Sequence, residues 1–222
     1  MQSSSILGIF AKLPSEGNVK TRLAQATSAE WARRVAEAFL EDTLDRFANV
    51  PVCRNVVYSP SDAAGYFSRL ASGRYELRPQ SGGDLGQRLQ AFVDDSLRRN
   101  FTRMVAIGTD SPTLPVDYVE QAFALLENKD AVIGPAFDGG YYLIGCGLTK
   151  MPLFADIPWS TPTVLSKTIE RVTMQSLALL PPWYDVDTLD DWQMLCGHVK
   201  AMRLAGIDVR APRVERLVLE YE

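Results

Sequence analysis

"SILGIFAKLPSEGNVKTRLA", residues 5–24, passes from an unbroken apolar run through a Pro/Gly loop to a group of cations ahead of a long helical pattern. The run at 5–11 reads as a strand buried on both faces, as parallel strands covered by helices on each side are. Similar runs recur at 51–59, 74–79, 103–110 and 130–136, and segments of helical period fill the gaps at 28–48, 61–71, 84–100, 116–127, 161–175 and 188–204. In the first of these, Ser28 is placed to cap the helix and Glu30 lies in its first turn, while Trp31, Val35, Phe39 and Phe47 fall near one face and belong to the core. Strand–helix repetition of this kind predicts an α/β fold with a mainly parallel, Rossmann-like sheet in three α/β/α layers. "GYYLIGCG" (140–147) follows the fifth strand too closely for a crossover helix, so an antiparallel excursion is expected there. The tail 210–222 reads as a final helix or an interface arm.

The 222 residues, 46% hydrophobic, suit a single domain spanning 1–222, with no internal repeat or linker to divide it. A formal charge of −4 argues against a nucleic-acid surface, which needs a basic face to displace counterions. No apolar run reaches the roughly 20 residues that span a bilayer, and the start lacks the basic residues and cleavage site of a secretory signal, so a cytoplasmic protein without a membrane partner is expected. Cys53, Cys146 and Cys196 show no metal or redox spacing and read as reduced, mostly buried thiols. His198, the one histidine, lies in a helical stretch, which disfavours a histidine-based triad.

Open parallel sheets bind ligands at the carboxyl ends of their strands, where strand order reverses. The loops at those ends, 12–22, 80–88, 109–115 and 137–142, hold most of the chain's clustered Gly, Pro, Asp and basic residues. The first contains neither a dinucleotide fingerprint nor a P-loop. Pro14 and Gly17 bend it, and Lys12, Lys20 and Arg22 supply charge suited to a polyphosphate beside the following helix start; Ala11 ends the strand that carries it. In "AIGTDSPTLP", Thr109 and Asp110 close a buried strand before two prolines, and an acid there suits Mg²⁺ or Mn²⁺, which take one or two carboxylates together with water and phosphate oxygens. Asp110 could instead cap the next helix, although Ser111 and Asp117 are nearer to that task. Asp185 and Asp187 precede a helix beginning at Thr188 or Leu189; one is expected to cap it and the other to face the site. Asp138, with Gly139 and Gly140, could orient an acceptor hydroxyl or act as a base, or else form a tight hairpin turn.

"GNVKTRL", "QSGGDLGQR", "GTDSPTLP", "FDGGYYLIG", "PWST" and "DVDTLDDW" occur in that order between Ile6 and Trp192. Together they resemble the rSAM/selenodomain-associated transferase 1 group (DUF2064), related to 2-phospholactate guanylyltransferase, molybdopterin guanylyltransferase and the sugar nucleotidyltransferases. The resemblance implies a GT-A, nucleotide-diphospho-sugar transferase-like fold that binds a nucleotide with a divalent metal. It matches Asp110 and Asp187 to metal-binding acids, with Leu189 where cytidylyltransferases carry Pro. It also sets Gln80, Gly83 and Asp84 in the base-reading loop, where Asp84 departs from the uridylyltransferase pattern. Trp159, Ser160 and Thr161 fall at the acceptor pocket. The first loop lacks the "GGxGTR" of sugar nucleotidyltransferases. Two reactions are consistent with this group: nucleotidyl transfer from a nucleoside triphosphate to a phosphorylated small-molecule acceptor with pyrophosphate release, and glycosyl transfer from a nucleotide sugar.

Overall fold

The computed structural model describes residues 4–148, 152–172 and 176–221. Its central strand, β1 (Ser5–Lys12), is buried from Ser5 to Ile9. It pairs in parallel with β2 (Cys53–Ser59) on one side and β4 (Arg103–Ile107) on the other. Outside β2 lies β3 (Glu76–Pro79); outside β4 lie β6 (Tyr141–Cys146), β5 (Ala131–Pro135) and β7 (Leu177–Leu179). The described residues thus form one seven-stranded sheet of order 3-2-1-4-6-5-7. β6 runs antiparallel to both β4 and β5, as the short 136–140 connection requires. Strand order reverses at β1, whose carboxyl end shares with that of β4 the crevice expected to hold a ligand.

Alternation along β1 divides the core. Leu7, Ile9 and Ala11 face a cluster with Leu40, Leu44 and Phe47 of α2 (Ala29–Phe47), Phe67 of α3 (Ala64–Ala71) and Val119 and Phe123 of α5 (Val116–Leu125). Ile6 faces the opposite cluster, with Leu89 and Phe92 of α4 (Leu85–Arg98) and with Leu153 and Phe154. Both faces of the sheet are therefore covered, giving the three layers. Ser28 caps α2 as expected, its hydroxyl accepting from the Trp31 N–H at 3.0 Å.

Several elements differ from the sequence reading. Lys20 is followed by a separate short helix, α1 (Thr21–Ala26). The helix expected over 161–175 shortens to α6 (Val164–Ile169), because Pro162 and Thr163 hold the chain in turns before it; residues 173–175 lie outside those described. β7 was not foreseen, since three residues give no usable period.

The tail resolves into α8 (Pro212–Tyr221), which packs with α1, α2 and α7 (Leu189–Leu204) around Trp192, a side chain with no exposed surface. A buried acid anchors it. Asp42 of α2 accepts from the backbone N–H groups of Arg213 (3.0 Å) and Val214 (2.9 Å) and from the Arg213 guanidinium (2.9 Å). Its carboxylate thus satisfies N–H groups at the start of α8 that have no partner within the helix. Asp42→Ala should lower stability by about 2–4 kcal/mol, because it leaves those donors and Arg213 without their buried partner. The measurement is urea unfolding, where Asp42→Asn, which keeps the shape and one acceptor, should lose less.

Candidate active site

The carboxyl ends of β1 and β4 open into a cleft of about 870 Å³, a size typical of small-molecule sites. Ala11, Lys12, Lys20, Arg22, Gln80, Thr109, Asp110, Asp138, Gly140, Trp159, Ser160, Thr161 and Asp187 all line it. Six segments separated in sequence therefore meet at one mouth. Gly17, Gly83, Asp84 and Gly139 are outside the lining, each serving the backbone nearby.

Lys20 is folded inward. It takes a left-handed backbone conformation (φ 45°) at the start of α1, and its side chain is only 4% exposed. Its ammonium donates to Asp110 and, at 3.0 Å, to Asp187 Oδ1, and lies 5.3 Å from the centroid of the Phe39 ring. Burial alone would lower its pKa, but the charges and hydrogen bonds of Asp110 and Asp187 more than reverse this and raise it above the ordinary lysine value. Both acids keep an exposed side toward the cleft, 50% for Asp110 and 41% for Asp187.

Asp187 reaches Asp110 because the two acid-bearing loops are clipped together. Val186 N–H donates to the Asp110 carbonyl at 2.9 Å, and the Ser111 hydroxyl donates to Asp185. Thr113 Oγ1 and Tyr184 Oη are 2.6 Å apart, and Tyr184 Oη is also 2.6 Å from His198 Nδ1. Burial pushes the Tyr184 phenol up to about 12, so it stays protonated and keeps its donor. His198 is thus a supporting group outside the cleft lining.

Asp110 caps no helix: Pro115 holds that position before α5, without a side-chain cap. Nor does Asp185 or Asp187 cap α7, contrary to the expectation for one of them. Thr188 does so, in a reciprocal box with Asp191, whose Oδ2 accepts from the Thr188 N–H at 2.8 Å and the Asp187 N–H at 3.0 Å. Both acids of "DVD" are thereby left to the cleft. Burial, reinforced by the charges of Asp110 and Asp138 and opposed by the Ser111 hydrogen bond, pushes the Asp185 carboxyl up to about 7.

The 80–88 loop is tied to the sheet by Gln80. Its side-chain amide donates to the carbonyls of Val57 (2.8 Å) and Ala11 (3.3 Å) and accepts from Arg88 Nη1 (3.2 Å). Asp84 caps α4 in a reciprocal box with Gln87, and the positive φ of Gly83 (93°) favours glycine there, where a Cβ would also push the Gln87 side chain out of that box. Arg88, part of the 80–88 loop but not singled out from the sequence, lines the cleft while its Nε donates to the Gly83 carbonyl at 3.0 Å.

Just before β6, Asp138 is both a turn former and a cleft residue. Its Oδ1 accepts from the Gly140 N–H at 2.8 Å. Gly139 permits the close docking of this hairpin, since a Cβ there would lie 2.2 Å from the Pro162 carbonyl oxygen. The Trp159 ring packs edge-on to Tyr141 at 6.4 Å and closes over Gly86, so it serves core and cleft wall together.

Residues 43–161 match the family model described as "Uncharacterized protein conserved in bacteria (DUF2064)". A solved structure from Desulfovibrio desulfuricans G20, presented as that of a candidate nucleotide-diphospho-sugar transferase, is 31% identical, with 99% of each chain covered and a TM-score of 0.87. This chain belongs to the DUF2064 family. The fold of this DUF2064 protein also resembles that of a cytidylyltransferase from Leptospira borgpetersenii at 13% identity and a TM-score of 0.57, covering 99% of this chain and 95% of that one. No protein of curated function matches it. The nucleotide-diphospho-sugar transferase-like architecture expected from the sequence is thus the one observed.

The clip makes a measurable claim about this family member. Tyr184→Phe removes one hydroxyl and strands the buried Thr113 hydroxyl and His198 Nδ1, so unfolding should show a loss of about 1–3 kcal/mol despite the conserved ring. A midpoint equal to the parent's would remove Tyr184 from the clip.

Proposed function

We propose that this protein is a metal-dependent nucleotidyltransferase that joins the nucleoside monophosphate part of a triphosphate to a phosphorylated small-molecule acceptor, releasing pyrophosphate. The observation that carries the reading is the convergence of Asp110 and Asp187 on one cation at the carboxyl ends of the sheet. The chemistry of the pair fits Mg²⁺ or Mn²⁺: the Lys20 ammonium already stands where a cation between the two carboxylates belongs. Among the described residues no set of three or more His, Cys, Asp or Glu side chains could hold an ion. A two-carboxylate seat completed by water and substrate phosphates is the usual arrangement for Mg²⁺. When bound, the ion supplies charge neutralisation across the phosphates.

The chain's own groups supply the rest. Lys12 and Arg22, both exposed in the cleft lining, are placed for the β- and γ-phosphates. Displaced from its acids, Lys20 adds a third cation for the leaving pyrophosphate. The base lies toward Gln80, whose amide is committed to the backbone, so Arg88 is left to face the ligand there. The acceptor lies toward Asp138, with Trp159 between it and the 80–88 loop. An acceptor phosphate is already an anion and needs no general base, in keeping with a cleft that no histidine lines.

A second reading, glycosyl transfer from a nucleotide sugar, is favoured by the description of the Desulfovibrio protein. A hydroxyl nucleophile then needs a base, and Asp138 is the carboxylate at the acceptor rim. Incubation of the protein with nucleoside triphosphates, or with nucleotide sugars, and an acceptor panel in the presence of Mg²⁺ or Mn²⁺ separates the two. Pyrophosphate release selects nucleotidyl transfer, free nucleoside diphosphate selects glycosyl transfer, and neither product with any donor rejects both.

Asp110→Asn removes a charge at nearly constant volume. The protein should still fold, with a lowered unfolding midpoint because Lys20 loses one of its two carboxylates, while metal-dependent triphosphate binding weakens roughly 10- to 100-fold in calorimetric titration. Undiminished affinity would remove Asp110 from the metal seat.

A further inference from the structure

Lys20 is held in three ways at once. Its backbone sits in a conformation that non-glycine residues avoid, its stem is buried, and its ammonium lies against two carboxylates above an aromatic face. Asp110 and Asp187 have no other cationic partner among the ion pairs of the described residues. The ammonium bridges one oxygen of each acid, Asp110 Oδ1 and Asp187 Oδ1, so an ion seated between those same inner oxygens and the ammonium exclude each other. A lone ion drawn to that inner seat displaces Lys20 and leaves its charge in a poorly solvated place, which is costly. A polyphosphate changes this balance, because it offers the displaced ammonium a new anionic partner a short swing away, beside Lys12 and Arg22.

We infer that Lys20 is a resident counter-cation that blocks the divalent-metal seat until a polyphosphate arrives, so that metal and nucleotide bind as a coupled pair. The inference rests on the metal–nucleotide reading of this cleft and adds the order in which its parts assemble. Coupling of this kind is reciprocal: metal strengthens polyphosphate binding by the same factor as polyphosphate strengthens metal binding. The device also keeps an isolated ion, or a metal-free nucleotide, from occupying the cleft strongly.

The test is Mn²⁺ binding, followed by electron paramagnetic resonance, to the parent and to Lys20→Met, with Mn²⁺ alone and at saturating tripolyphosphate. The parent should bind Mn²⁺ weakly alone and at least about tenfold more tightly with tripolyphosphate. Lys20→Met should bind Mn²⁺ alone at least about tenfold more tightly than the parent, and its coupling to tripolyphosphate should fall to about threefold or less. Equal or weaker Mn²⁺ binding by Lys20→Met, with Asp110→Asn still abolishing it, overturns the inference and leaves the metal seat standing. Asp110→Asn and Asp187→Asn binding Mn²⁺ like the parent overturns the metal reading itself and the inference with it. Should Lys20→Met not fold, the unaltered protein decides the matter through acetylation of Lys20 by acetic anhydride, read by mass spectrometry. Lys20 should be protected without metal and label at least about fivefold faster at saturating Mn²⁺ alone; unchanged labelling at saturation overturns the inference.

Discussion

The cleft depends on one cross-loop constraint, the hydrogen bond from Val186 N–H to the Asp110 carbonyl, continued along the same two segments by the Ser111–Asp185 and Thr113–Tyr184 contacts. Asp110 arrives at the mouth of the sheet because β4 ends there, which is a property of the strand. Asp187 belongs to no strand and follows the short edge strand β7. Only the clip brings the second acid to the first, and only with both in place does the Lys20 ammonium find two partners. The clip is built largely from buried groups, and their hydrogen bonds are correspondingly expensive to leave unmade.

Behind the clip stands the satellite core. Tyr184 and Val186 point into the cluster of Trp192, Leu195, Val199 and the α8 side chains, and Trp183 stacks on Tyr184 with ring centroids 5.5 Å apart. α8 in turn is fixed by Asp42 of α2, and Phe39, about one turn earlier on the same helix, lies beneath Lys20. A helix at the end of the chain and the floor of the cleft are therefore supported by the same α2. This explains why a segment that could have been an interface arm is instead packed against the body of the protein.

Periodicity read along the chain identified the strands around β1, because their apolar character is imposed by burial on both faces and needs no knowledge of the partner. It also found Asp110, since an acid ending such a strand must be solvated or paired. What it missed was decided by tertiary choices. Whether Asp185, Asp187, Thr188 or Asp191 caps α7 depends on which side chain the clip leaves in reach, and the local sequence allows all of them. Lys20 was legible as a cation near the mouth, but its inward turn follows from a left-handed backbone and from acids in two distant segments. Arg88 carries no local signal at all, because basic residues on an exposed helix start are ordinary. β7 fell below the length at which a strand has a period.

The distribution of charge in the cleft narrows what can bind there. Lys12, Arg22 and Arg88 line it alongside Asp110, Asp138, Asp185 and Asp187, so neither sign prevails and a simple anion has no single basic pocket to enter. A ligand complementary to this surface must present negative charge to the first loop and positive charge to the paired acids, and a polyphosphate carrying a divalent ion does both. At Gln80 both amide N–H groups are spent on the Val57 and Ala11 carbonyls and the oxygen already accepts from Arg88, so the donors this end of the cleft can offer come from the guanidinium of Arg88. Guanidinium groups only donate, so the base edge favoured at this end of the cleft is one that presents acceptors. On the proposed nucleotidyl-transfer reading, this charge distribution gives the first loop the terminal phosphates and the Arg88 side the base, which sets the α-phosphorus beside Asp110 and Asp187 with the acceptor approaching from Asp138.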